Sequence, residues 1–131
     1  MGNLEAGSSE SCRMFLRFQD VVEVIKESNS ILTADLILDE VARKYDQYPD
    51  PDSMKAAILR LLDSDEHFGV IETLQYLGWR FRWQWLREEV ESRRLERSRS
   101  GDLRKVRAYE VILEAFGDDW EDRDCFPSLS S

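Results

Sequence analysis

The sequence predicts an all-α protein, a compact six-helix antiparallel bundle. Three observations predict it. Apolar residues recur at three- and four-residue spacing along most of the chain. No stretch alternates with the two-residue period of a half-buried strand. Capping and breaking residues divide the pattern into segments of roughly 12 to 18 residues, joined by short loops, as antiparallel helices require.

Residues 1–11 are small and polar and are expected to form a flexible leader, with the bundle over 12–117 and an acidic flexible tail over 118–131. The first helix is expected from Cys12 to about Lys26, where Phe15, Phe18, Val22 and Ile25 repeat at i, i+3, i+7 and i+10. Ser28-Asn29-Ser30 ends it, because these side chains compete for backbone hydrogen bonds. Thr33 is the expected cap of helix two, whose stripe is Ala34, Ile37, Leu38, Val41 and Tyr45, with Asp35, Asp39 and Arg43 opposite. Tyr48-Pro49 breaks it, since a residue before proline resists the α conformation.

Asp50-Pro51-Asp52 is the clearest helix start in the chain: a capping carboxylate, a proline suited to the first position, and an acid for the positive helix end. Met54, Ala57, Ile58, Leu61 and Leu62 follow at helical spacing. Asp63-Ser64 is expected to close helix three and cap helix four, with Asp65 and Glu66 in the first turn and Gly78 as its left-handed end. Helix five is expected from Arg80 to Arg97. It lies in the stretch holding three of the four tryptophans, and Trp79, Trp83, Leu86 and Val90 share one stripe while Phe81 and Trp85 lie on another side. A helix apolar on two sides belongs at the centre of a bundle. Ser98 to Gly101 is a loop. Asp102 caps helix six, with Leu103, Val106, Tyr109, Leu113 and Phe116 as its stripe and Gly117 as its stop.

Composition limits the function classes. The chain has 131 residues, 42% of them hydrophobic, enough for one packed domain. No apolar run reaches the ~20 residues of a membrane span. Met1 to Ser11 lacks the basic start and apolar run of a secretory signal, and Ala6 stands where a myristoylation motif has Ser or Thr. The expectation is therefore a cytoplasmic protein with Cys12 and Cys125 reduced.

Enzyme chemistry finds no constellation. The sole histidine, His67, sits among helix-start acids (Asp63, Asp65, Glu66), where carboxylates serve the helix dipole. No phosphate-binding glycine loop and no zinc spacing exist, so neither cofactor, metal nor small-molecule substrate is expected.

Charge is segregated. The total is -9, yet Arg80 to Arg107 holds ten basic and five acidic residues, and Thr33 to Glu72 holds four basic and ten acidic. This points to protein docking, with Asp35, Asp39, Glu40, Asp50 and Asp52 as an acidic face and Arg80, Arg82, Arg87, Arg93, Arg94 and Arg97 as a basic one. Phe81 and Trp85 are candidate apolar anchors, with burial as their competing fate. Glu88, Glu89, Glu91 and Glu96 offer the basic face i, i+3 or i+4 pairs. Nucleic-acid contact by the basic block is the alternative, and the chain's net negative charge opposes it. A third reading is a regulator that takes a partner helix in a groove lined by Trp85 and Phe81.

Three local sequences carry a resemblance. These are Ile31-Leu32-Thr33 before an acidic helix; Met54-Lys55-Ala56-Ala57-Ile58-Leu59-Arg60-Leu61-Leu62; and Ile71 to Trp79 running into Leu86-Arg87-Glu88-Glu89. Together, over about Arg13 to Phe116, they resemble the caspase-recruitment (CARD-like) domains of the death-fold superfamily; a death domain or death-effector domain stays open. The resemblance implies a six-helix bundle and a non-enzymatic adaptor. Such an adaptor recruits another death-fold protein, or itself, in apoptotic or innate-immune signalling. It also implies an acidic docking side on helices two and three. The basic side departs from the family arrangement, lying on helices five and six rather than one and four, and helix one lacks the usual kinking proline or glycine.

Overall fold

The computed structural model describes residues 2–28, 30–64 and 69–129. Among them the regular elements are helices: α1 (Gly2–Ser28), α2 (Ile31–Gln47), α3 (Pro51–Leu62), α4 (Val70–Phe81), α5 (Gln84–Ser100) and α6 (Leu103–Glu114). Two short 3-10 turns follow at Glu121–Cys125 and Pro127–Leu129, and the described residues contain no strand. The all-α expectation is met. The chain gathers into two compact units, Met1–Val70 and Ile71–Ser131.

In the first unit α1 packs on both α2 and α3. Its core takes Phe18, Val21, Val22 and Ile25 from α1, Ala34, Leu38, Val41 and Ala42 from α2, and Met54, Ala57, Ile58, Leu61 and Leu62 from α3. These are largely the residues the 3.6-residue period selects. Phe15 is only half-buried and lies under the Arg60 guanidinium, 3.9 Å from its carbon. Helix α1 reaches back to Gly2, so the expected leader is helical. Once a turn is formed, each further residue adds one hydrogen bond at little nucleation cost, which lets a strong helix extend through weak formers.

Ser30, not Thr33, caps α2: its side chain accepts from the Thr33 N–H at 3.2 Å and donates to the Thr33 hydroxyl at 2.9 Å. The earlier start turns Asp35 from a first-turn acid into an interior residue. It stands seven positions before Ala42, on the same edge of the helix, and is buried with it. Asp50 caps α3 as expected, accepting from the Ser53 N–H at 3.3 Å, and Pro51 opens the helix. Asp63 closes α3 by donating its backbone N–H to Leu59. The expected first turn of helix four, with Asp65, Glu66 and His67, lies outside the described residues.

The second unit corrects the expected centre. Helix α5 buries only Leu86 and Val90, because nine of its 17 residues are charged and only one narrow stripe is apolar. It packs along α6 as a flank. The buried rod is α4, where Thr73 to Gly78 are all buried. Gly78 does not end that helix. A Cβ there would stand 2.9 Å from the Phe116 ring, so glycine permits a close approach inside a helix that continues to Phe81. The break falls at Arg82, whose φ of 52° is the sole positive value at a non-glycine among the described residues. Helix α5 therefore starts at Gln84 and runs on through Ser98 to Ser100, ending in Gly101 at φ 81°.

Asp102 caps α6 through the Lys105 N–H at 3.2 Å. Ala108, Tyr109 and Ile112 are buried, whereas Leu103, expected in the stripe, is exposed. Helix α6 stops at Glu114, before Gly117. The acidic segment beyond it packs as part of the unit rather than trailing from it. Trp120 and Phe126 are both buried; Trp120 lies 6.0 Å from the Trp79 ring and Phe126 meets Tyr76 edge-on at 5.4 Å. The Tyr76 and Ser128 hydroxyls are 2.7 Å apart.

Candidate interaction site

The two expected charged faces fare differently. On the acidic side, Asp35 is buried and Asp39 is held by Arg43 at 2.9 Å. Glu40 reaches Arg17 on α1 at 3.3 Å, and Asp50 is occupied as the α3 cap. Asp52 alone of the five is exposed without such a role. Local structure therefore takes up most of the charge counted there.

The basic side is sorted by position along the chain. Near the α4–α5 break the arginines serve the fold. Arg82 donates to the Phe116 carbonyl at 2.6 Å and lies 3.7 Å from Asp118, so it ties the break to the end of α6. Arg80 lies 5.7 Å from the Phe81 ring. Within α5, Arg87 pairs with Glu91 at 3.4 Å and Arg93 with Glu89 at 2.9 Å, both at i, i+4 spacing.

Towards the tip of the α5–α6 hairpin the pairing stops. Among the described residues Arg94, Arg97 and Arg99 on α5, and Arg104 and Arg107 on α6, form no ion pair. All but Arg94 are exposed, and Arg94 is half-buried. Arg97 and Arg99 sit in the last turn of α5, where cations complement the helix dipole. Arg104 and Lys105 sit in the first turn of α6, which contains no acid beyond the Asp102 cap that precedes it. A cation at a helix N-terminus faces a positive end, at a cost of about 0.3–1 kcal/mol each. The helix dipoles account for Arg97 and Arg99 and disfavour Arg104, while Arg94 and Arg107 lie outside the terminal turns.

The aromatic residues form a second feature. Phe81 stacks on Trp83 at 4.5 Å with ring planes 5° apart, and Trp83 on Trp85 at 5.9 Å. All three rings are half-buried, so Phe81 and Trp85 are neither core residues nor exposed anchors. No family model, curated protein or solved structure matches this chain.

The described residues contain no cluster of three metal-ligating side chains, and no helix is long and apolar enough to cross a membrane. The sequence marks the hairpin arginines as a block but does not separate the paired from the unpaired. It does not single out Trp83 as the middle ring of a stack. Nor does it announce the open groove between α1 and α2, whose only signal is Leu16 and Tyr48, apolar residues beside the helical stripes that the structure leaves exposed.

Proposed function

We propose that this chain is a non-enzymatic cytoplasmic interaction module of the CARD-like kind. It docks the arginine-bearing tip of its α5–α6 hairpin on an acidic surface of another death-fold protein. The observation that carries the reading is the run of arginines without ion pairs towards the hairpin tip, with Arg104 exposed in the first turn of α6 where the dipole disfavours a cation. An arrangement that lowers the stability of its own helix persists when a partner's carboxylates offset it. Such charges steer encounter and orient docking more than they add affinity. The acidic face serves as the counter-surface less well, since all its members but Asp52 are buried, paired or capping.

The test is binding of purified CARD, death and death-effector domains to the wild-type chain and to Arg94→Glu/Arg97→Glu. One or more domains are expected to bind, with at least tenfold loss in the variant and weakening as salt rises from 50 to 300 mM, because the screening length falls below about 10 Å. Arg93 is left intact, since its pair with Glu89 supports α5. The second reading, nucleic-acid binding, draws on the same unpaired arginines; a low-salt gel shift with duplex and single-stranded probes decides for it if shift occurs and domain binding does not.

A further inference from the structure

The unit Met1–Val70 carries an apolar groove and, on one of the helices that form it, an apolar ridge. The groove lies between α1 and the second half of α2 and has a volume of about 990 Å³. Met14, Leu16, Val41, Tyr45, Tyr48 and Pro49 give it its apolar lining. Its walls run from Glu10 to Arg17 and from Glu40 to Gln47, each about 10 Å long at 1.5 Å per residue, or two helical turns. Leu16 and Tyr48 at its rim are 58% and 75% exposed, so an occupant removes substantial apolar surface from water.

The ridge lies on the first half of α2. Leu32 and Leu36, at i and i+4, are 66% and 70% exposed. Single exposed leucines are ordinary on protein surfaces. Here two stand about 6 Å apart on one helical face. The opposite face, with Ala34, Leu38, Val41 and Ala42, already fills the core, so the ridge contributes nothing to its own fold. An i, i+4 apolar pair is the form in which a helix enters a two-turn groove.

Ridge and groove lie on one continuous helix, so a chain cannot dock its own ridge in its own groove. Every copy carries both. The flank of the ridge brings in little unpaired charge, because Asp39 is held by Arg43 at 2.9 Å, and an unpaired buried charge is what would oppose docking. On the groove side Lys44 makes no ion pair among the described residues and lies at the rim, free to stay in water when the groove fills.

We infer that the occupant is a second copy of this chain: Leu32 and Leu36 of one copy seat in the α1–α2 groove of the next. The surface lies in the other unit from the hairpin, and the inference does not depend on what the hairpin binds. Two leucines in a two-turn groove make a small interface, so the association is of the weak, transient class.

Sedimentation equilibrium on the full chain tests it, with Leu36→Glu (ridge lost, groove kept) and Leu16→Glu (groove altered, ridge kept). Both positions are exposed, and unchanged far-ultraviolet circular dichroism checks the fold; Leu36→Ala, which preserves helix propensity, repeats the ridge test without a new charge. The wild-type chain is expected to self-associate, each glutamate variant to weaken this about tenfold or more, and an equimolar mixture of the two to associate more tightly than either alone. A wild-type monomer up to about 1 mM overturns the inference. So does association that survives Leu36→Glu, or a mixture no tighter than its components.

Discussion

Replacing Trp120 by alanine tests whether the acidic C-terminal segment belongs to the second unit. The ring is 4% exposed and packs against Trp79 and Phe126 at 6.0 and 6.2 Å. A buried tryptophan removes roughly 150–250 Å² from water, worth about 4–6 kcal/mol at ~25 cal/mol per Å². A compact unfolded state already hides part of that area, which brings the loss to about 3–5 kcal/mol. The indole also carries a cost: its Nε1–H is buried without a hydrogen-bond partner among the described residues. An orphan donor of this kind costs about 1–3 kcal/mol. Trp120→Phe removes the orphan along with part of the ring, and the two changes offset, so it is expected within about 1 kcal/mol of wild type. Urea unfolding followed by circular dichroism measures both variants. A Trp120→Ala change below about 0.5 kcal/mol, the range of ordinary surface substitutions, would refute the packing of this segment.

Two further predictions probe local structure. Gly101 holds φ 81°, and a Cβ added there would meet nothing within 4 Å, so Gly101→Ala pays only the backbone term and is expected to lose about 1–2 kcal/mol, with Gly101→Asn losing less; urea midpoints check both. Burial raises the Tyr45 pKa above its ordinary value, with Asp50 and Asp46 adding to the shift. The folded state therefore holds the proton longer than the unfolded chain. The associated stability is fully present below about pH 10 and is lost as pH rises through the folded value. Tyr45→Phe is expected to lose less stability than wild type across that alkaline window; equal losses would contradict the shift.

The sequence discloses its helices where the signal is local. Asp50-Pro51 and Asp102 cap the helices they are expected to cap, because a short polar side chain and a proline act within one turn. Phe18, Val22, Ile25, Leu38 and Leu61 lie in the core their period selects. The tryptophan-rich stretch misleads because its stripe runs smoothly from Trp79 to Val90, across a break at Arg82 that neither glycine nor proline announces. Gly78 suggests a helix end, although its role is set by Phe116, 38 positions later in the chain, which no local signal encodes. Trp120 and Phe126 are hidden by the carboxylates around them; two large rings six residues apart in an acidic segment are the available clue. The charged faces follow the same rule. Counting charges locates the basic block, but only geometry shows that Arg82, Arg87 and Arg93 serve the fold while the arginines towards the hairpin tip do not.

The docking account stands most directly on which arginines a partner covers. Phenylglyoxal labelling of the chain, alone and in complex with a death-fold domain that binds it, reads this by mass spectrometry. The account predicts that Arg97, Arg99, Arg104 and Arg107 label readily in the free chain and are protected in the complex, while Arg13 and Arg43 on the other unit label equally in both. Equal labelling of the hairpin arginines with and without the bound domain would contradict it.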